Sequence, residues 1–251
     1  MDRKKKIGLV VEGGGMKCAY NAGILDGFLD HGILFDYCIG VSGGAGNAAS
    51  YVAGQRGRNI RFFTEHIHSP KYFGIRSLLA TGNLFGLQYI YGELTNSGGK
   101  DPLDFAAIMK SPAEYEVVAT NALTGEARYF GKEEMKQDDY RPIMASSAIP
   151  AAYRPVVIDG VPYYDGGIAD VIPVRHALEK GCDRLVVILS KRRDYVRKLG
   201  TYSMDEETEK KLYDLGMKDF KDQLDALHQF IYSRTVRDSA HLNSPEKDKN
   251  G

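Results

Sequence analysis

The stretch "DYCIGVSGGAGNAAS", residues 36–50, decides how the rest of the chain is read. Its apolar run ends abruptly at Gly43-Gly44 and gives way to small residues that suit a helix. A short apolar run bounded by glycine is the pattern of a buried strand, so the stretch predicts a strand, a tight turn and a helix. Ser42 stands inside that turn, in the pattern Gly40-x-Ser42-x-Gly44. Such a turn strains the backbone at the serine, and small neighbours such as Gly40, Gly43 and Gly44 are needed for flanking elements to close in. From these residues alone two readings stand open. One is a packing turn. The other is a reactive hydroxyl at a helix N-terminus, where unpaired N–H groups favour developing negative charge.

The preceding segment predicts a second unit of the same kind. "KIGLVVE" reads as a buried strand, Gly13-Gly14-Gly15 breaks it, and a helix runs from Lys17 to about His31 before Gly32. Ala19, Ala22, Leu25, Phe28 and Leu29 give that helix its apolar stripe. A glycine triplet between strand and helix could cradle a phosphate, which would make a nucleotide-binding module. Two residues weigh against it: the fingerprint needs glycine where Cys18 stands, and the second strand ends in Val41-Ser42 rather than in a ribose-binding carboxylate. The alternative use is an oxyanion hole. Amides of Gly14 and Gly15, with that of Gly43, would bracket a carbonyl oxygen beside Ser42 if both loops reach the carboxyl edge of one parallel sheet.

Downstream, residues 57–100 mix aromatics with glycines and predict short helices joined by loops, a candidate lid or lipid-contact surface. Phe73, Leu78, Leu79, Leu84 and Phe85 are its candidate acyl-chain contacts. "EYEVVATNALTGEARYF" predicts a hairpin turning at Thr124-Gly125, and "RPVVIDGVPYYDGG" two short strands around an Asp159-Gly160 turn. Between them "DDYRPIMASSAIPAAY" predicts a helix interrupted near Pro150. A helix ending at Gly181, a buried strand, and a long helix from about Glu206 to Arg237 follow, then a polar tail. The chain divides at about residue 190, with residues 191–251 expected as a helical extension packed on the same domain.

A hydroxyl needs a base. The six histidines, His31, His66, His68, His176, His228 and His241, lie in no motif that suggests a catalytic loop. His176 reads as a packed helical residue, and His66 with His68 lack a third ligand for a metal. Asp165 is more informative, because "YYDGG" puts a carboxylate at a strand end followed by Gly166 and Gly167, where the backbone can turn sharply. A free aspartate, with a pKa near ~3.9, is a weak base, and burial among Tyr163, Tyr164 and aliphatic neighbours would strengthen it.

The set "EGGGMK", "GVSGG", "SSAIPAAYRPV" and "DGG", in order from about Ile7 to Leu189, resembles the patatin-like phospholipase family. The resemblance implies a three-layer α/β/α sandwich around a central, mostly parallel sheet. It implies Ser42 as nucleophile, Asp165 as the base of a Ser-Asp dyad, and Gly13, Gly14 and Gly15 as oxyanion donors. The implied reaction is hydrolysis of acyl esters in lipids, without metal or cofactor. Lys17 matches the family's basic position, while Cys18 replaces its usual glycine. A Ser-His-Asp esterase and a catalytically silent lipid-binding protein are the competing expectations.

Bulk composition narrows the partners. Lys+Arg and Asp+Glu both total 33 in 251 residues, which predicts no nucleic-acid partner. Arg3 to Lys6 and the cluster Lys191 to Lys198 are locally basic and leave room for peripheral contact with anionic lipid. Three widely spaced cysteines and an N-terminal apolar run broken at Glu12 lead to the expectation of a reduced, cytoplasmic protein, at most peripheral at the inner membrane surface. Nothing in the sequence sets an oligomeric state.

Overall fold

The computed structural model describes residues 5–190 and 205–233. β1 (Ile7–Val11) leads through the glycine triplet into α1 (Cys18–Asp30), and β2 (Tyr37–Val41) turns at Ser42 into α2 (Gly43–Val52). Short elements follow: α3 (Arg58–Thr64), α4 (Ile75–Thr81), a π-helical turn (Tyr89–Leu94) and α5 (Phe105–Lys110). β3 (Glu114–Asn121) then folds back through Gly125 into β4 (Ala127–Gly131). Next come α6 (Arg141–Ser146), β5 (Val156–Ile158) and β6 (Val161–Asp165). α7 (Val174–Glu179), β7 (Arg184–Ile188) and α8 (Glu206–Tyr232) end the described chain.

The seven strands form one sheet in the order β5-β6-β3-β2-β1-β7, with β4 also on β3. β7, β1, β2 and β3 run parallel, whereas β4, β6 and β5 are added antiparallel. The sheet is thus mixed, its parallel part carrying both glycine turns. The antiparallel additions come from the two hairpins, whose turns hold Gly125 at φ 77° and Asp159-Gly160 at φ 50° and 81°.

β3 sets the position of everything that follows. Val117 and Val118 pair with β2 on one edge and with β4 on the other. Ala119 and Thr120 pair with β4 and with β6. A strand has only two edges. β2 and β6 therefore share one edge of β3, end to end, with Val41 opposite Val118 and Asp165 opposite Ala119.

Both faces of the sheet are covered. Leu9, Val11, Cys38 and Val117 pack with Leu25 and Phe28 of α1 and Ala45 of α2. On the opposite face Val10, Ile39, Val41 and Val118 lie under Ala177 of α7. The result is the expected three-layer α/β/α arrangement. α8 adds to the first of these faces by closing onto α1, and glycine makes that approach possible: a Cβ on Gly23 would stand 2.2 Å from the Tyr213 carbonyl oxygen, and one on Gly216 2.2 Å from that of Tyr20.

Two expectations change. The helix expected over "DDYRPIMASSAIPAAY" is confined to Arg141–Ser146, because the segment beyond it leaves the helix to bond other elements. The long C-terminal helix, expected to run to Arg237, ends at Tyr232 with Ser233 extended; residues 234–237, the basic cluster at 191–198 and the polar tail lie outside the described residues. Among the described residues no helix is long and apolar enough to cross a membrane.

Candidate active site

Ser42 sits between β2 and α2 with φ 54° and ψ −132°, a conformation that L-residues rarely adopt and that costs on the order of 1–3 kcal/mol. The surroundings hold it there. A Cβ at Gly40 would fall 2.5 Å from the Ala45 Cα, and one at Gly44 2.5 Å from the Val11 carbonyl oxygen. The turn can close only because these positions lack a side chain.

The edge shared by β2 and β6 brings Asp165 to the same place. Its carboxyl is buried, 7% exposed, and interacts with the Ser42 hydroxyl. Oδ1 also accepts from the Gly167 N–H at 2.8 Å. Burial pushes the carboxyl above its ordinary range, and the Ser42 hydroxyl and the Gly167 N–H pull against that rise without cancelling it. Gly166 lets the chain turn away at once, since a Cβ there would stand 2.2 Å from the Val118 carbonyl oxygen. Thr120 braces the turn, donating to the Asp165 carbonyl at 2.8 Å and accepting from the Ala169 N–H at 3.2 Å.

One segment fastens both members of the pair. The Ser42 N–H donates to Ser146 Oγ at 2.8 Å, and the Asp165 N–H donates to the Ala148 carbonyl at 2.9 Å. This is why α6 stops where it does: the Ala148 carbonyl is turned toward Asp165. Nothing in the sequence "SSAIPAAYRPV" marks Ser146 for this role, because a long-range side-chain acceptor leaves no local signal.

The glycine loop lies against the serine. A Cβ on Gly13 would be 2.6 Å from the Ser42 Cβ, and one on Gly43 3.4 Å from the Gly15 carbonyl oxygen. Gly15 has φ 58° and, with Gly43, lines the cavity in front of Ser42. Among the described residues the N–H groups of Gly14, Gly15 and Gly43 meet no protein acceptor. Orphan donors of this kind are what the first turn of a helix offers. The Lys17 N–H donates to the Gly14 carbonyl at 3.3 Å, closing the turn. Cys18 is wholly buried, with Sγ 3.0 Å from where a Gly43 Cβ would be, so it packs beneath the serine turn.

Two residues that sequence reasoning passed over lock this loop to β7. The buried Glu12 carboxylate accepts from the Ser190 N–H at 2.8 Å, and Ser190 Oγ donates to the Gly13 carbonyl. Asn21 donates to the Glu12 carbonyl at 2.8 Å from inside α1.

The cavity in front of Ser42 is apolar on most sides, lined by Met16, Phe62, Phe63, Phe85, Leu87 and Ile90 among others. Of the expected acyl-chain contacts, Phe73 and Phe85 form part of its wall, their rings 4.7 Å apart. Leu84 is outside the lining, and Leu78 and Leu79 point to solvent, 44% and 81% exposed. Arg58 contributes a buried polar patch to the wall, with Nη1 and Nη2 spent on Ser50, Thr95 and the Asp101 carbonyl. Burial pushes its guanidinium down to about 10, against the pull of Asp101.

The five described histidines are engaged elsewhere. His176 bonds Glu116 at 2.7 Å, His66 bonds Asp101 at 3.0 Å and His68 bonds Glu206 at 2.7 Å. His31 meets the Gly27 carbonyl, and His228 packs on Tyr232. His241 lies outside the described residues.

Fold and site together define an α/β protein in which a strained serine turn and a buried aspartate meet at the end of a sheet. The family model described as patatin-like phospholipase matches residues 9–178, so the chain belongs to the patatin-like phospholipase family. It is 32% identical over 198 residues to the uncharacterized protein YjjU of Escherichia coli (strain K12), across 73% of this chain. The match covers 51% of YjjU, so the chain spans about half the length of that relative. Among solved structures, VipD from Legionella pneumophila aligns with a TM-score of 0.41 at 14% identity, over 96% of this chain and 58% of that one.

Proposed function

We propose that the protein is a serine acyl hydrolase that cleaves acyl esters of lipids with Ser42 as nucleophile and Asp165 as its base. The observation that carries this reading is the Ser42 hydroxyl set against the buried Asp165 carboxyl, with Ser42 in the wall of an apolar cavity. Asp165 accepts the hydroxyl proton as Ser42 Oγ attacks the ester carbonyl carbon. The amides of Gly14, Gly15 and Gly43 receive the oxyanion, beside Gly13, which packs on the serine. As the carbon–oxygen bond breaks, Asp165 passes its proton to the leaving alcohol, and an acyl group remains on Ser42. Water then gives a proton to Asp165 and attacks the acyl carbon; Ser42 leaves with that proton and the free acid departs.

A buried, upward-shifted carboxyl suits both halves of this cycle, since it accepts a proton more readily than a solvated aspartate and still releases it to an alkoxide. Lys17, Gly40, Gly44, Gly166 and Gly167 serve the geometry rather than the chemistry. The chemistry needs no metal or cofactor. The substrate reaches the cavity from a lipid surface, which the protein meets peripherally. Its three cysteines, buried and without a disulfide, fit a reducing, cytoplasmic setting.

The test is covalent labelling with a fluorophosphonate. An adduct on Ser42 that disappears in Ser42→Ala and slows sharply in Asp165→Asn supports the reading. A protein that takes no label and turns over no ester is a silent lipid-binding protein, and the proposal falls. Label lost on changing any one histidine would instead mark a Ser-His-Asp esterase.

A further inference from the structure

α4 is an amphipathic helix turned inside out. Its apolar stripe, Ile75, Leu78 and Leu79, follows the i, i+3, i+4 spacing of one helical face and points outward, with Ile75 72% and Leu79 81% exposed. The polar Ser77 faces inward, 2% exposed, and its hydroxyl has no partner among the described residues. A core-packed helix does the opposite. Singly exposed aliphatics need no explanation, but three on one face of a seven-residue helix do.

The helix is carried on a firm base. The Gly74 N–H donates to the Leu84 carbonyl at 2.9 Å, the Leu84 N–H to the Ala152 carbonyl at 2.8 Å, and the Arg154 N–H to Asn83 Oδ1 at 2.8 Å. The two chain segments leaving this base carry Phe73 and Phe85, which line the cavity in front of Ser42. The exposed stripe therefore stands on the same base as two residues of the cavity wall. Two exposed cations flank it: Arg76 on the helix, and Arg154, whose guanidinium lies 2.9 Å from where a Gly82 Cβ would be. Neither takes part in an ion pair among the described residues.

We propose that α4 is the element by which the protein seats on a phospholipid surface. Ile75, Leu78 and Leu79 enter the acyl boundary, and Arg76 and Arg154 meet the phosphates of the headgroups. An aliphatic face rimmed by arginine is the pattern of a helix lying in the membrane interface. A protein partner would also cover an apolar face, but the base shared with the apolar cavity favours lipid, since a seated α4 brings Phe73 and Phe85 to where an acyl chain leaves the bilayer. This rests on the reading of Ser42 and Asp165 as an acyl hydrolase.

The experiment uses the full chain with Ser42→Ala, so that binding is read without turnover. Cosedimentation is measured with vesicles of phosphatidylcholine alone and of phosphatidylcholine containing phosphatidylglycerol. Adding Ile75→Gln and Leu79→Gln should weaken binding to both by at least about tenfold. Arg76→Gln with Arg154→Gln should cost about tenfold on the anionic vesicles alone. The chain contains no tryptophan, so Leu79→Trp provides a single reporter whose emission should shift to the blue on vesicles of either kind. Unchanged vesicle binding in the glutamine variants, or no shift from the reporter, overturns the proposal. So does a dimer that Leu79→Gln dissociates while vesicle binding stays the same, which would assign the stripe to a second copy. Hydrolysis of a soluble short-chain ester by the unaltered protein is read separately. Its absence defeats the acyl-hydrolase reading, whereas docking is decided by the vesicles.

Discussion

Two buried carboxylates meet β3 in different ways: Glu116 stands on the strand itself, and Asp165 stands on β6, opposite Ala119. Glu116, three residues before Ala119, accepts from Tyr37 at 2.6 Å, His176 at 2.7 Å and Lys180 at 2.8 Å. His176 in turn stacks on Tyr129 with ring centroids 3.5 Å apart. Burial pushes Glu116 up, but the hydrogen bonds from Lys180, Tyr37 and His176 outweigh it and hold the carboxyl below its usual range. At Asp165 the balance falls the other way: burial wins over a serine hydroxyl and one backbone N–H. The first carboxylate is surrounded by donors and committed to its charge. The second holds a proton more readily than a solvated aspartate does. A histidine beside a carboxylate looks more like a catalytic pair than a lone aspartate does, yet this one is saturated and serves the packing between α7 and the sheet.

The comparison breaks most directly by mutation of the two ends. Ser42→Ala should lower kcat/KM for an ester by at least about 10⁴-fold and Asp165→Asn by about 10³-fold or more, with the fold kept. His176→Ala should leave kcat/KM within about twofold while costing roughly 1–3 kcal/mol of stability, read by urea melts. If His176→Ala instead lost activity as Asp165→Asn does, the two carboxylate sites would have been assigned the wrong way round. The pH profile sharpens the contrast. Asp165 must be unprotonated to act as base, so its raised position puts the acid limb of kcat/KM above 3.8, the ordinary value.

A smaller effect is expected at Ser146. Its hydroxyl oxygen is the acceptor for the Ser42 N–H, so Ser146→Ala strands that donor and loosens the Ser42 turn. The loss should be roughly tenfold to thirtyfold, in kcat rather than KM, with slower fluorophosphonate labelling. Ser146→Cys, whose sulfur is a weak acceptor, should fall between. A change confined to KM or to melting temperature would reduce Ser146 to a packing role.

These residues also show how much could be read in advance. The turn at Ser42, the Asp159-Gly160 hairpin and the Asp165-Gly166-Gly167 stop were legible, because glycine chemistry is local and each pattern demands one backbone shape. That Ser42 and Asp165 meet is set by β2 and β6 sharing an edge of β3, two long-range pairings that leave no local trace. The role of Ser146, the Glu12–Ser190 lock and the outward stripe of α4 were hidden for the same reason. Each depends on what lies across the gap, and a periodic stripe says that a helix has an apolar face without saying what that face meets.

A third buried carboxyl tests the contrast from the other side. Glu209, in the first turns of α8, is 1% exposed, and one of its oxygens has no partner among the described residues. Burial, with a smaller push from Asp205, raises it from 4.5 to about 8. It has neither the donors of Glu116 nor the serine of Asp165, so nothing opposes the rise that burial and Asp205 produce. Below pH 4.5 folded and unfolded chains both hold its proton, and it contributes no pH dependence. Between that value and about 8 the unfolded chain loses the proton while the folded chain keeps it, so stability falls as pH rises through this window and levels above it. Glu209→Gln, neutral throughout, should raise Tm by a few degrees at pH 9 relative to the parent, with the gain shrinking to about zero near pH 4. Parallel Tm curves for the two proteins across that range would mean that the carboxyl is solvated in solution, and the beginning of α8 would then be less tightly closed on α1 and α3 than the structure has it.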